Sequence, residues 1–179
     1  RGVIHRDLKP ENVMLGAYGE TLLVDWGLAK LVPRETASAG GGDQWGENAS
    51  WDPRTIRLRA ACRTTSTEIG SAVGTPAYMS PEQAAGMVDQ LGPASDIYGL
   101  GSTLYYMLVG ASAYPEGETA ASYYRLKKQF VPEVKQARDD IPESISRLVK
   151  RMMAPKPSRR FTTWEDCLQA IRDEAKLLS

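Results

Sequence analysis

The chain has 179 residues, 42% of them apolar, and its 22 basic and 22 acidic residues cancel. That composition supports a real core, and the balanced charge leaves no global field to favour nucleic acid or an anionic membrane. A single histidine and two distant cysteines, Cys62 and Cys167, offer no zinc-ligand pattern and fit a reducing compartment.

Residues 1–32 read as short β elements. GVI, NVML and TLLVDW are β-favouring apolar runs, and GAYGE at 16–20 supplies a turn between the last two. Residues 33–72 change character: they are rich in Gly, Ser, Ala and charge, with no period of 2 or 3.6, and read as a long surface loop. Trp45 and Trp51 lie in it, either to pin it to the body or to form a docking surface.

After GTPAYMSPEQAAG the pattern becomes helical. Ser95 is a candidate cap for a helix to about Val109, with Ile97, Leu100, Leu104, Tyr105 and Leu108 on an apolar face. Its other side is also uncharged, so it should be buried. The uncharged run 97–114 carries glycines, serines and four tyrosines, which suits a buried helix better than a membrane span. Residues 119–129 read as an exposed helix with Tyr123, Leu126 and Lys127. Pro142 opens another with Ile145, Leu148, Val149 and Met152 at helical spacing. TTWE at 162–165 is a capping-box pattern before a last helix with Trp164, Leu168, Ile171 and Ala175 inward. The cluster Lys150, Arg151, Lys156, Arg159 and Arg160 reads as a solvated helix end plus one structural arginine.

HRDLKPEN, at 5–12, carries the chemistry. For phosphoryl transfer, Asp7 can accept a hydroxyl proton and aim that oxygen at phosphorus. Lys9 can neutralise the transferring group, and Asn12 can offer a carbonyl oxygen to Mg²⁺. The pattern resembles the catalytic loop of protein kinases. VDWGLAK, whose Asp25 stands thirteen residues after Asn12, resembles the family's Asp-Phe-Gly element with Trp26 replacing Phe. The resemblance implies that Asp25 holds Mg²⁺ on the phosphates of ATP and that Gly27 permits the turn. Indole keeps an apolar plug but adds an N–H that needs a partner.

GTPAYMSPEQ (74–83) resembles the substrate-docking loop and Ala-Pro-Glu element, with Ser80 for Ala. Thr75 is then expected to bond Asp7 and Lys9, and together Lys9 and Thr75 point to Ser/Thr of a protein substrate rather than Tyr. Glu82 needs a cation if buried; the resemblance of KPSRRF (156–161) to a late family motif selects Arg160, with Arg159 the neighbouring possibility. SDIYGLG (95–101) resembles the start of the family's buried helix, with Asp96 accepting from the backbone around His5 and Arg6. His5 is a packing and hydrogen-bonding residue on this reading. Arg6, before Asp7, implies control by activation-loop phosphorylation, with Thr65 or Thr67 favoured among Thr64, Thr65, Ser66, Thr67 and Ser71.

The resemblance covers essentially all of the chain apart from an insertion at about 34–63, and is closest to bacterial Hanks-type serine/threonine kinases. It implies a kinase-like α+β fold of which this chain is the mainly helical C-terminal lobe. Within that lobe it sets a catalytic loop at 5–12, an activation segment at 25–82 and a helical bundle at 95–178. No GxGxxG or VAIK-like stretch occurs, so the N-terminal lobe is expected to be absent and the isolated chain inactive. A cytoplasmic location follows, with a membrane anchor possible on a longer protein. A non-enzymatic scaffold and a small-molecule phosphotransferase of the same fold are the alternatives. Intact Asp7, Lys9, Asn12 and Asp25 weigh against the first, and the peptide-docking residues against the second.

Overall fold

The computed structural model describes residues 2–31, 75–115 and 119–178. Thr65, Thr67, Trp45, Trp51 and the 34–63 insertion lie outside them. Strand β1 (Val3–Ile4) pairs antiparallel with β4 (Lys30–Leu31), and between them β2 (Val13–Leu15) pairs with β3 (Thr21–Leu23). The β2–β3 turn is closed by Gly16 N donating to Glu20 O at 2.8 Å, with Gly19 at φ 86°, where a side chain would be strained.

Six helices follow among the described residues: α1 (Pro81–Ala84), α2 (Pro93–Val109), α3 (Ala120–Gln129), α4 (Val134–Ala137), α5 (Glu143–Met152) and α6 (Trp164–Leu178). Helix α2 is central, as its two-sided apolar pattern requires. One side packs Tyr98 and Tyr105 with Tyr114, Tyr123, Val134, Val149 and Met153; the other packs Ile97 with Met152, Phe161 and Cys167. A Cβ on Gly101 would sit 2.7 Å from that of Met152, and one on Gly99 would sit 3.1 Å from that of Leu8. Glycines at these positions cost roughly 1 kcal/mol each in helix propensity, and they let α5 and the loop carrying Leu8 approach the α2 backbone.

Three expectations need correction. Ser95 does not cap α2: the helix begins at Pro93 with Gly92 as N-cap, because proline suits the first turn, where its missing N–H is no loss. Ser95 is buried one turn in, and its hydroxyl donates to Glu82. Helix α3 is not an exposed helix, since Tyr123 and Lys127 are buried. In α6, Thr163 rather than Thr162 caps, its Oγ1 accepting from Asp166 N at 3.1 Å. Cys167 is the buried residue of that helix, Trp164 and Ile171 pack beside it, and Leu168 is exposed. No helix among the described residues is long and apolar enough to cross a membrane.

Candidate active site

The loop after β1 is held in an unusual backbone shape. Arg6 has φ 71°, a left-handed conformation that costs a non-glycine residue roughly 1–3 kcal/mol. Asp96, in the first turn of α2, compensates: its Oδ2 accepts from His5 N at 2.6 Å and its Oδ1 from Arg6 N at 2.8 Å. Burial outweighs these bonds and raises the Asp96 pKa. From α1, Gln83 Nε2 donates to Arg6 O at 2.7 Å. His5 is buried, with Nε2 donating to Val24 O at 2.9 Å while Nδ1 accepts from Asp7 N at 3.3 Å. Both ring nitrogens are committed in the neutral Nε2–H tautomer, which leaves His5 no part as a base.

Asp7 then meets three partners. Its Oδ1 accepts from Thr75 N at 3.0 Å; its Oδ2 lies 3.1 Å from Lys9 Nζ and accepts from Asn12 Nδ2 at 3.2 Å. Lys9 Nζ also donates to Thr75 Oγ1 at 2.7 Å, so residues 7, 9 and 75 close a ring of contacts. Burial alone would raise the Asp7 pKa, but the Thr75 N–H and the Lys9 ammonium outweigh it and hold the carboxyl below its ordinary value. Near neutral pH Asp7 is therefore ionised, an acceptor held in one orientation.

The β2–β3 ladder brings Asn12 and Asp25 to the same end of the hairpin, where Val24 N donates to Asn12 O at 2.9 Å. Asn12 Nδ2 spends its bonds on Asp7, to the backbone O at 2.8 Å and to Oδ2, so Oδ1 is the amide atom of a type that could meet a cation. Asp25 is exposed, at φ 60°, and its Oδ1 accepts a long 3.4 Å bond from Gly27 N. An amide oxygen and a carboxylate are hard donors suited to Mg²⁺, which keeps waters and phosphate oxygens and needs few protein ligands. The residues fit that ion. No cluster of three or more His, Cys, Asp or Glu side chains arranged for a metal occurs among the described residues. Trp26 answers the question of its N–H: Nε1 donates to Leu23 O at 2.9 Å, the ring meets His5 edge-on at 4.7 Å, and 43% of the residue stays exposed.

Glu82 and Arg160 form a second charged centre, buried and bidentate, at 2.7 and 2.9 Å. Ser95 Oγ donates to Glu82 Oε1 at 2.8 Å, and the guanidinium also donates to the carbonyls of Ala94, Ala154 and Pro155. Burial opposes ionisation of Glu82, and the Arg160 bond and charge more than offset it, lowering the pKa. Arg159 is exposed and lies outside this pair. Arg6 keeps a buried Nε without a hydrogen-bond partner among the described residues. The sequence motifs did not point to Gln83, Ser95 or Lys127, each of which is buried and hydrogen-bonded near this site. Ser80 and Gln83 form a capping box in the structure, and Ser-x-x-Gln is a sequence signal that could have placed Gln83 on a helix, but nothing in it indicates the reach to Arg6 O.

Residues 1–171 match the protein kinase domain family. Serine/threonine-protein kinase PknD of Chlamydia trachomatis serovar L2b (strain UCH-1/proctitis) is 34% identical over 173 residues, covering 96% of this chain and 17% of that protein. PknD of Protochlamydia amoebophila (strain UWE25) is 39% identical over 117 residues, 65% of this chain and 10% of that protein. PknK of Mycobacterium bovis (strain ATCC BAA-935 / AF2122/97) is 31% identical over 175 residues, 96% of this chain and 13% of that protein. The chain thus spans less than a fifth of the length of these curated relatives. It belongs to the protein kinase family, and the relatives it resembles are serine/threonine kinases of bacteria.

Proposed function

We propose that residues 1–179 are the helical, C-terminal lobe of a serine/threonine protein kinase, and that it directs the Mg²⁺-dependent transfer of the ATP γ-phosphate to a Ser or Thr hydroxyl of a protein. The observation that carries this reading is the Asp7 carboxylate, held ionised by Lys9, Asn12 and Thr75. In this role Asp7 accepts the hydroxyl proton and orients the oxygen for in-line attack. Lys9, a hydrogen-bond length from Thr75, stands beside that oxygen to offset charge on the transferring group. Asn12 and Asp25 would hold Mg²⁺, which would neutralise charge on the nucleotide phosphates.

Thr75 ties the docking segment to the catalytic loop, which favours a peptide over a small-molecule acceptor. Glu82, Arg160, Asp96 and His5 hold the framework. The buried Nε of Arg6, which has no hydrogen-bond partner among the described residues, supports a place for Arg6 in reading a phosphate on Thr65 or Thr67. The 179 residues contain no glycine-rich phosphate cover and no VAIK-like lysine strand, so a nucleotide-covering N-terminal lobe is the partner this lobe requires, and turnover by residues 1–179 alone is expected to be negligible. The test is phosphorylation of a Ser/Thr peptide by the gene's full product with Mg²⁺ and ATP. Transfer to Ser or Thr that is lost in Asp7→Asn supports the reading. Transfer unaffected by Asp7→Asn, or confined to Tyr, contradicts it, and brisk turnover by 1–179 alone contradicts the lobe assignment.

A further inference from the structure

Lys127 plays no part in the chemistry above, and a lysine that is 0% exposed is rare enough to need a reason. Its Nζ donates to Pro76 O at 2.9 Å, Ala77 O at 2.9 Å and Met79 O at 2.6 Å. An ammonium carries three protons, and each here has its own carbonyl. The rings of Tyr98, Tyr114 and Tyr123 lie 5.4, 5.1 and 5.1 Å away and supply cation–π contact. Burial pulls the Lys127 pKa down to about 7, with the Glu82 carboxylate opposing. A neutral amine would bring two protons to three carbonyls, so the geometry is that of the charged form.

All three acceptors follow directly after Thr75, whose N–H and Oγ1 meet Asp7 and Lys9. Residues 75–80 belong to no helix or strand, and their own backbone contributes a turn in which Tyr78 N and Met79 N both donate to Thr75 O. We infer that Lys127 is a positioning residue for the protein substrate. By drawing three carbonyls to one buried cation it fixes the shape of residues 76–79, and through Thr75 it sets the register of that segment with Asp7. The role in docking rests on the kinase reading; the clamp itself does not.

Lys127→Met keeps an apolar stem and removes every donor. In the 179-residue chain, amide exchange at Ala77, Tyr78 and Met79 is expected to rise by about tenfold or more, while α2 and α5 stay protected. Unchanged exchange at Ala77, Tyr78 and Met79, or an equal rise throughout α2 and α5, would overturn the clamp. If the variant does not fold, wild-type protein labelled with ¹⁵N-lysine decides. The clamp requires a slowly exchanging ammonium signal in mildly acidic solution, below the lowered pKa of Lys127, with through-space contacts to the α protons of 76–79, and absence of that signal overturns it. In the gene's full product, the substitution is expected to raise KM for a Ser/Thr peptide about tenfold and to lower kcat by less than about threefold. A merely structural loss would instead reduce kcat through a smaller active fraction, leaving KM unchanged, and that result overturns the positioning role. If the wild-type product transfers no phosphate, the docking role falls with the kinase reading, while exchange still decides the clamp.

Discussion

Two acid–base pairs in this chain are built to opposite ends. Glu82–Arg160 is sealed: the side chains are 3% and 0% exposed, the carboxylate is bidentate, and each guanidinium nitrogen reaches a carbonyl or that carboxylate. Asp7–Lys9 is left more open, with Lys9 21% exposed and a single 3.1 Å approach between the two side chains. A saturated pair has nothing left to offer a substrate and serves to fix the fold. An unsaturated pair, held by fixed donors, keeps acceptor capacity at the edge of solvent, which is where a hydroxyl must arrive.

Breaking the open pair should have the largest effect on turnover and a small one on folding. Asp7→Asn is expected to lower kcat of the gene's full product by about 10³-fold or more, with little change in melting temperature. Breaking the sealed pair should do the reverse. Arg160→Met strands the Glu82 carboxylate in the interior, at a cost of about 3–5 kcal/mol, which for a domain of this size lowers Tm by about 10 °C. The double variant Glu82→Met with Arg160→Met should be less destabilised than Arg160→Met alone, because no charge is then left unpaired. A calorimetric series showing the two losses to be additive would remove the basis of the contrast.

The open site was far more legible in the sequence than the clamp beside it. HRDLKPEN places its acid, cation and amide within one short loop, so their contacts are largely local, and the spacing to Asp25 follows from a hairpin whose turn residues are visible. Glu82 and Arg160 were legible through motifs, although 78 residues separate them. Lys127 was not. In a helix containing Arg125, Lys127 and Lys128 a lysine reads as solvated, and its three carbonyls lie about 50 residues upstream on a segment without periodicity. The α6 face was misjudged at one position: Cys167 and Leu168 both lie three or four residues from Trp164 and Ile171, so helical spacing did not decide between them, and the structure buries Cys167 while Leu168 stays exposed.

The sealed pair also sets a pH response. Glu82 has its pKa lowered from the ordinary 4.5 when folded. A carboxyl of this kind contributes stability that is present above 4.5 and lost as pH falls through its lower, folded-state pKa. Asp96, raised from 3.8, acts in the opposite sense: its contribution is present below 3.8 and declines as pH rises through its folded-state pKa. Acid unfolding should therefore begin below about pH 4.5, and Glu82→Gln should flatten that limb while lowering stability at neutral pH. Denaturant midpoints measured at successive pH values would show this. A limb as steep in the variant as in the wild type would assign the acid response to other carboxyls.

The smallest effect sharpens the open pair from within. Thr75 acts on Asp7 through its backbone N–H and on Lys9 through its hydroxyl, at 3.0 and 2.7 Å. Thr75→Ala deletes the second contact and spares the first, so the carboxylate keeps its orientation while the ammonium gains freedom. One hydrogen bond to a charged group, partly exposed, is worth about 1–2 kcal/mol, which sets the loss in kcat/KM at about tenfold. Thr75→Ser retains the oxygen and should stay within about threefold of the wild type. An equal loss in both variants would locate the importance of residue 75 in its β-methyl packing. A loss in Thr75→Ala as deep as in Asp7→Asn would mean that Lys9, and not the N–H of Thr75, is what holds Asp7 in place.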